Sequence, residues 1–154
     1  MAAPDTAGVV APPPLIFATA FVVGWLLGHV FPWPLLPADT AFRVAFVPGL
    51  ASLALAVAAF REMRRARTAV SPYAPTTTLV RTGPFALSRN PLYVALILLS
   101  LGLALMVDTV WCVLMLLPAV VVLRRGVVAR EEAYLQRCFG EDYRLYCATT
   151  RRWL

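Results

Sequence analysis

Two polar strings survive in a chain that has otherwise shed polarity. The first runs Arg81-Thr82-Gly83-Pro84-Phe85-Ala86-Leu87-Ser88-Arg89-Asn90-Pro91-Leu92-Tyr93, and the second Arg130-Glu131-Glu132, then Phe139-Gly140-Glu141-Asp142-Tyr143, reaching Tyr146 and Arg151. Arg89 offers a planar fork that matches a carboxylate, and Asn90 offers both a donor and an acceptor. Pro91 suits the first turn of a helix, whose free amides favour anions. Glu131 and Glu132 are adjacent, hence about 100° apart around a helix, so one can hold a cation while the other pairs with an arginine. Tyr93, Tyr134, Phe139 and Tyr143 supply faces for an aromatic base or a cationic centre. Taken together, these groups suit a zwitterion bearing an amino acid moiety, a positive centre and an aromatic base. Taken singly they are ordinary: Gly83-Pro84 and Asn90-Pro91 are turn dipeptides, and arginines beside glutamates at a membrane surface serve as snorkelling anchors.

The elements that position these strings are apolar. Hydrophobic residues make up 60% of the 154-residue chain and charged ones 14%, with a mean hydropathy of +0.74. A soluble domain holds about 45–50% and 25%. The expected fold is therefore all-α: a polytopic integral membrane protein of a single domain, 1–154, with about four transmembrane helices, each crossing needing roughly 20 residues. Two N-terminal helices fall within 14–60, from about Pro14 to Phe31 and from Val44 to Phe60. The prolines at 32 and 34 stop the first, and Pro48-Gly49 is expected to kink the second or delay its start. Residues 61–91 form a polar connection carrying the first string, with six arginines and four prolines. Residues 92–123 form a tight helical hairpin turning at Val107-Asp108-Thr109, its two arms only about 24 Å long at 1.5 Å per residue. The tip is expected to sit shallow, near Asp108 and Trp111. No breaker follows until Gly140, so the fourth helix is expected to continue out of the membrane or along its surface as the helix and tail of 124–154. Because the first string precedes the third helix and the second follows the fourth, the hairpin makes neighbours of residues about forty apart.

Arginine placement orients the bundle. Six lie between the second and third segments and seven follow the fourth, whereas the other two connections hold none before Arg43. The positive-inside rule then places both polar strings and both termini in the cytoplasm. The leading residues hold Asp5 and no arginine, unlike a secretory signal. Lysine is absent, which removes Schiff-base and P-loop chemistry. The net charge of +6 sits on too little polar surface for a nucleic-acid protein. Cys112, Cys138 and Cys147 are odd in number and unclustered, without metal or disulfide spacing. His29, the single histidine, lies near the outer end of the first helix and reads as structural or interfacial. The alanine- and arginine-rich composition fits a GC-rich bacterial source, and hence the inner membrane.

In their order, Thr82-Gly83-Pro84-Phe85, Ser88-Arg89-Asn90-Pro91-Leu92-Tyr93, the apolar hairpin, Glu131-Glu132, Leu135, Phe139-Gly140, Tyr143, Tyr146 and Arg151 resemble the isoprenylcysteine carboxyl methyltransferase family, which is itself similar to the membrane phospholipid N-methyltransferases. The resemblance covers roughly Leu79 to Trp153. It implies S-adenosylmethionine bound at the cytoplasmic face, with Arg89, Asn90, Pro91 and Tyr93 and the paired Glu131 and Glu132 matching the family's elements by position. Joined to the reading of the residues, this makes Arg89 and Glu132 the expected catalytic residues and places Gly83, Pro84, Asn90, Pro91, Tyr93, Glu131, Tyr134, Phe139 and Tyr143 around the cofactor. Two departures stand out: Ala95 occupies a position where the family often has glycine, and Asn90 replaces the histidine of the eukaryotic enzymes.

Methyl transfer from a sulfonium is an in-line displacement, so a protein chiefly aligns the partners and excludes water. A carboxylate or thiolate acceptor needs no base. An amine must first lose a proton, for which Glu131, Glu132 or Tyr93 are the groups at hand. The implied partners are the bilayer and a lipophilic acceptor: carboxylate, thiol or phospholipid amine. The same strings also suit a non-catalytic membrane scaffold or partner subunit. A transporter fits poorly, because no charged residue falls inside an apolar segment once Arg43 is placed at an end.

Overall fold

The computed structural model describes residues 7–68 and 76–153. Asp5, part of the 61–91 connection and Leu154 lie outside the described residues. The order is α1 (Pro13–Val30), α2 (Ala38–Arg65), a 3₁₀ turn (Gly83–Ala86), α3 (Pro91–Met106), α4 (Val110–Leu123), a π turn (Arg124–Val128), α5 (Ala129–Phe139) and α6 (Glu141–Thr149). The protein is an all-α polytopic membrane protein. Pro13–Val30, Asp39–Arg65 and Val110–Phe139 are each long and apolar enough to cross a membrane, and Pro91–Met106 is a shorter apolar helix.

Prolines punctuate these helices. Proline's fixed φ suits a first turn, where its missing N–H costs nothing, so α1 and α3 both carry one there. The second helix runs further than its apolar stretch at both ends. Asp39 in the first turn and Arg64 and Arg65 in the last complement the helix dipole, and Pro48 lies inside the helix rather than delaying its start. The fourth helix continues as expected, through the π turn into α5.

The bundle is built as two pairs, α1 along α4 and α2 along α3. Glycine permits both contacts. A Cβ on Gly24 would stand 2.7 Å from the Cα of Cys112, and one on Gly102 would stand 3.2 Å from the carbonyl oxygen of Ala45. Two buried serine hydroxyls are satisfied within the α2–α3 pair: Ser52 Oγ donates to the Ala95 carbonyl at 2.6 Å and Ser100 Oγ to that of Leu96 at 2.8 Å. Large apolar side chains point outward instead, Val47 being 69% and Leu50 63% exposed. Such inversion suits a surrounding of lipid, where outward apolar groups cost nothing and backbone groups must be satisfied internally.

At one end of the bundle, the α3–α4 turn is knotted to the α1–α2 connection. Asp108, at φ 46°, accepts hydrogen bonds from the amides of Leu35 at 2.9 Å and Leu36 at 3.1 Å, and the Trp111 indole donates to the Phe31 carbonyl at 2.7 Å. His29 bonds the Trp25 carbonyl within its own helix at 2.9 Å. Both polar strings occupy the opposite end.

Candidate functional site

The first string is pinned before it reaches α3. Gly83, at φ 60°, opens the 3₁₀ turn hard against α2, where a Cβ would meet Glu62 Cγ at 2.8 Å, and Thr82 Oγ1 donates to the same carboxylate at 2.6 Å. On the other side lies the tail after α6. Ser88 pairs with Arg151 in an isolated parallel bridge, the Arg89 amide donates to the Arg151 carbonyl at 2.9 Å, and Asn90 Nδ2 donates to the Arg152 carbonyl at 2.9 Å. The Tyr146 hydroxyl, from α6, donates to the Phe85 carbonyl at 2.6 Å. Arg89 and Asn90 thus enter the site from a loop held on two sides.

The second string approaches on α5. Glu132 Oε1 accepts from Arg89 Nη1 at 3.1 Å and from Arg152 Nε at 2.9 Å, while Oε2 accepts from Arg152 Nη2 at 2.7 Å. Arg89 Nη1 also donates to Cys147 Sγ at 2.9 Å. One residue earlier, Glu131 Oε1 accepts the Tyr93 hydroxyl at 2.7 Å. The adjacent glutamates take separate partners, as their angular offset requires. The two strings therefore touch, and the carboxylate that Arg89 grips is the chain's own.

Burial weakens the Arg89 guanidinium, but Cys147 and Glu132 outweigh it and hold its pKa above the ordinary value. Burial, reinforced by Glu132 and Cys147, pushes the Tyr143 phenol well above its usual range. Burial also pushes Tyr146 up to about 12, against the opposing pull of Arg89. Both phenols stay protonated at neutral pH and serve as hydrogen-bond groups rather than bases.

These side chains open onto a cavity of about 430 Å³. Its polar end is made by Arg89, Asn90, Tyr93, Glu131, Glu132, Tyr134 and Tyr143, and its apolar wall by Ala56 and Phe60 of α2 and Leu96 and Leu99 of α3. Pro91 lines it as well. Gly83, Pro84 and Phe139, expected at the cofactor, are not among the lining residues. Gly83 and Pro84 form the 3₁₀ turn, with Gly83 packed on Glu62, and Phe139 is the last residue of α5. Sequence reasoning passed over Tyr146 as a lining residue, Cys147 as the neighbour of Arg89, and Arg152. For Tyr146 the signal was present, in the spacing that puts it one helical turn beyond Tyr143. Among the described residues no group of three His, Cys, Asp or Glu side chains is placed to hold a metal.

The size and the mixed charge of the lining suit a small organic ligand that carries both a cationic and an anionic group. The volume lies within the range of about 300–1,000 Å³ common for ligand and cofactor pockets. Two carboxylates and several phenols converge at its polar end, and Arg89 Nε is buried without a hydrogen-bond partner.

The profile of the family described as phospholipid methyltransferase matches residues 44–142, from α2 through the start of α6. An uncharacterized protein of Haemophilus influenzae is 35% identical over 63 residues, which are 41% of this chain and the whole of that protein. No solved structure matches the chain. The chain belongs to the phospholipid methyltransferase family.

Proposed function

We propose that this member of the phospholipid methyltransferase family transfers a methyl group from S-adenosylmethionine to a lipophilic acceptor at the cytoplasmic face of a bacterial inner membrane. The observation that carries the reading is the joining, in one cavity, of the Arg89–Glu131–Glu132–tyrosine cluster with an apolar wall from α2 and α3. Glu131 and the tyrosines Tyr93, Tyr134 and Tyr143 would hold the cofactor's cationic groups and base, and Arg89 with the first turn of α3 its carboxylate. When bound, S-adenosylmethionine supplies a methyl carbon attached to a cationic sulfur.

The chain's own contribution is alignment and the exclusion of water. The apolar wall accepts the hydrocarbon part of an acceptor from the bilayer side, and the polar end orients its head toward the methyl carbon. Carboxylate and thiolate acceptors react without a base. For a phospholipid amine, Glu131 takes the proton from nitrogen, with the Tyr93 hydroxyl holding the carboxylate in place. The cytoplasmic assignment is supported by the thirteen arginines other than Arg43, which lie in the 61–91 connection or after α4, at the end that holds the cavity.

Incubation of membranes containing the protein with methyl-tritiated S-adenosylmethionine, followed by lipid extraction, tests this reading. Label in a phospholipid, a base-labile ester or a thioether is the expected result and names the acceptor. No transfer together with no binding of the labelled cofactor would overturn it and leave a non-catalytic membrane scaffold.

A further inference from the structure

We infer that Arg152 is a positioning residue of the cavity, fixing both polar strings at once through its side chain on Glu132 and its backbone carbonyl on Asn90. The inference rests on the proposed cofactor reading, and it concerns a residue outside the stretch matched by the family profile.

Arg152 does not line the cavity. Its Nε and Nη2 nevertheless grip the two oxygens of Glu132 at 2.9 and 2.7 Å, the bidentate arrangement that a lysine cannot reproduce. Its carbonyl accepts from Asn90 Nδ2 at 2.9 Å and from Ser88 Oγ at 3.4 Å. The side chain thus anchors to α5 the same stretch of tail whose backbone anchors the loop before α3. Glu132 is shared between two guanidiniums, whereas among the described residues no arginine pairs with Glu131. Arg152 thereby holds Glu132 back from the ligand, its charge taken up by the two guanidiniums. It also keeps Glu132 from forking Arg89 with both oxygens and turning that guanidinium away from the ligand. Loss of the Arg152 side chain frees Glu132 and slackens the tail on Asn90, so affinity falls even though nothing that touches the ligand has been changed.

Equilibrium binding of tritiated S-adenosylmethionine to the full chain in detergent tests this, with Kd read on the folded, monodisperse fraction. Arg152→Ala is expected to raise Kd about tenfold, and Arg152→Lys to fall between it and the parent, since the lost interactions are charge-assisted hydrogen bonds. In a Glu132→Gln background, Arg152→Ala is expected to change Kd little further, because residues acting through one contact are not additive. A purely structural role would lower Tm and leave Kd unchanged. Equal Kd in parent and Arg152→Ala, or full additivity with Glu132→Gln, overturns the inference while the parent still binds. Failure of the parent to bind instead overturns the cofactor reading itself. Should Arg152→Ala not fold, Arg152→Lys carries the same readout.

Discussion

The hydroxyl of Tyr93, in the first turn of α3, donates to the carboxylate of Glu131 in α5 at 2.7 Å, across 38 residues of chain. A side-chain hydrogen bond contributes about 0.5–1.5 kcal/mol, and this one also fixes the direction of a carboxyl group that, among the described residues, pairs with no arginine. Tyr93→Phe is expected to lower methyl transfer about tenfold, close to the loss of one such bond, with an unchanged helical circular dichroism spectrum. Glu131→Gln is expected to weaken binding of the labelled cofactor as well. Parent-level transfer by both variants would remove the pair from the site.

Glu132 behaves differently because its partners belong to the protein. Glu132→Gln leaves Arg89 and Arg152 facing a neutral amide, and a half-buried group deprived of its counter-charge costs about 1–3 kcal/mol. Thermal unfolding in detergent should show a lower Tm for Glu132→Gln than for Glu131→Gln. The reverse order would contradict the division of labour between the two glutamates.

The two helix pairs can be probed through glycine. Gly24→Val drives a branched side chain into the Cys112 backbone, and overpacking of this kind costs about 1–3 kcal/mol. Gly49→Ala meets nothing within 4 Å inside α2, so it should hold or raise Tm through its better helix propensity. Purified yield and Tm of the two variants check the contrast.

Alkaline pH offers a readout of α6. The Tyr146 phenol is raised by burial from an ordinary 10 to about 12, so the folded state keeps a proton that the unfolded state releases. Its contribution to stability is complete below pH 10 and is lost as pH climbs toward 12. Tyrosinate absorbance should show this phenol titrating after an exposed one, and Tyr146→Phe should flatten the fall in Tm over that window. Simultaneous titration of all the tyrosines would argue against the burial.

Much of the scaffold was legible because proline marks both ends of α1 and the start of α3, and Val107-Asp108-Thr109 the end of α3: both helices begin and end within one residue of the expected positions. The ends of α2 were not, since hydropathy reports contact with lipid, whereas helical hydrogen bonding continues through charged turns as far as Arg65. That the two strings meet follows from the hairpin alone. Which partner each residue takes does not. Between α4 and α5 the backbone spends five residues in a π turn, so a count of 100° per residue from α4 mispredicts the face that α5 presents. Arg151 and Arg152 are chemically identical neighbours. In the extended tail successive side chains point opposite ways, and nothing in the sequence says which one turns toward Glu132.

The shortness of α3 reaches beyond the protein. Sixteen residues make a rod of about 24 Å, against a hydrocarbon slab of about 30 Å. Lipids bordering so short a helix would be compressed to meet it, at a cost of a fraction of a kcal/mol per Å of mismatch. A leaflet thinned in this way would dimple beside the very helix that supplies part of the cavity's apolar wall. On the proposed function, headgroups there would ride lower than elsewhere, and acyl-chain length in the host membrane would set how readily a lipid acceptor reaches Tyr93.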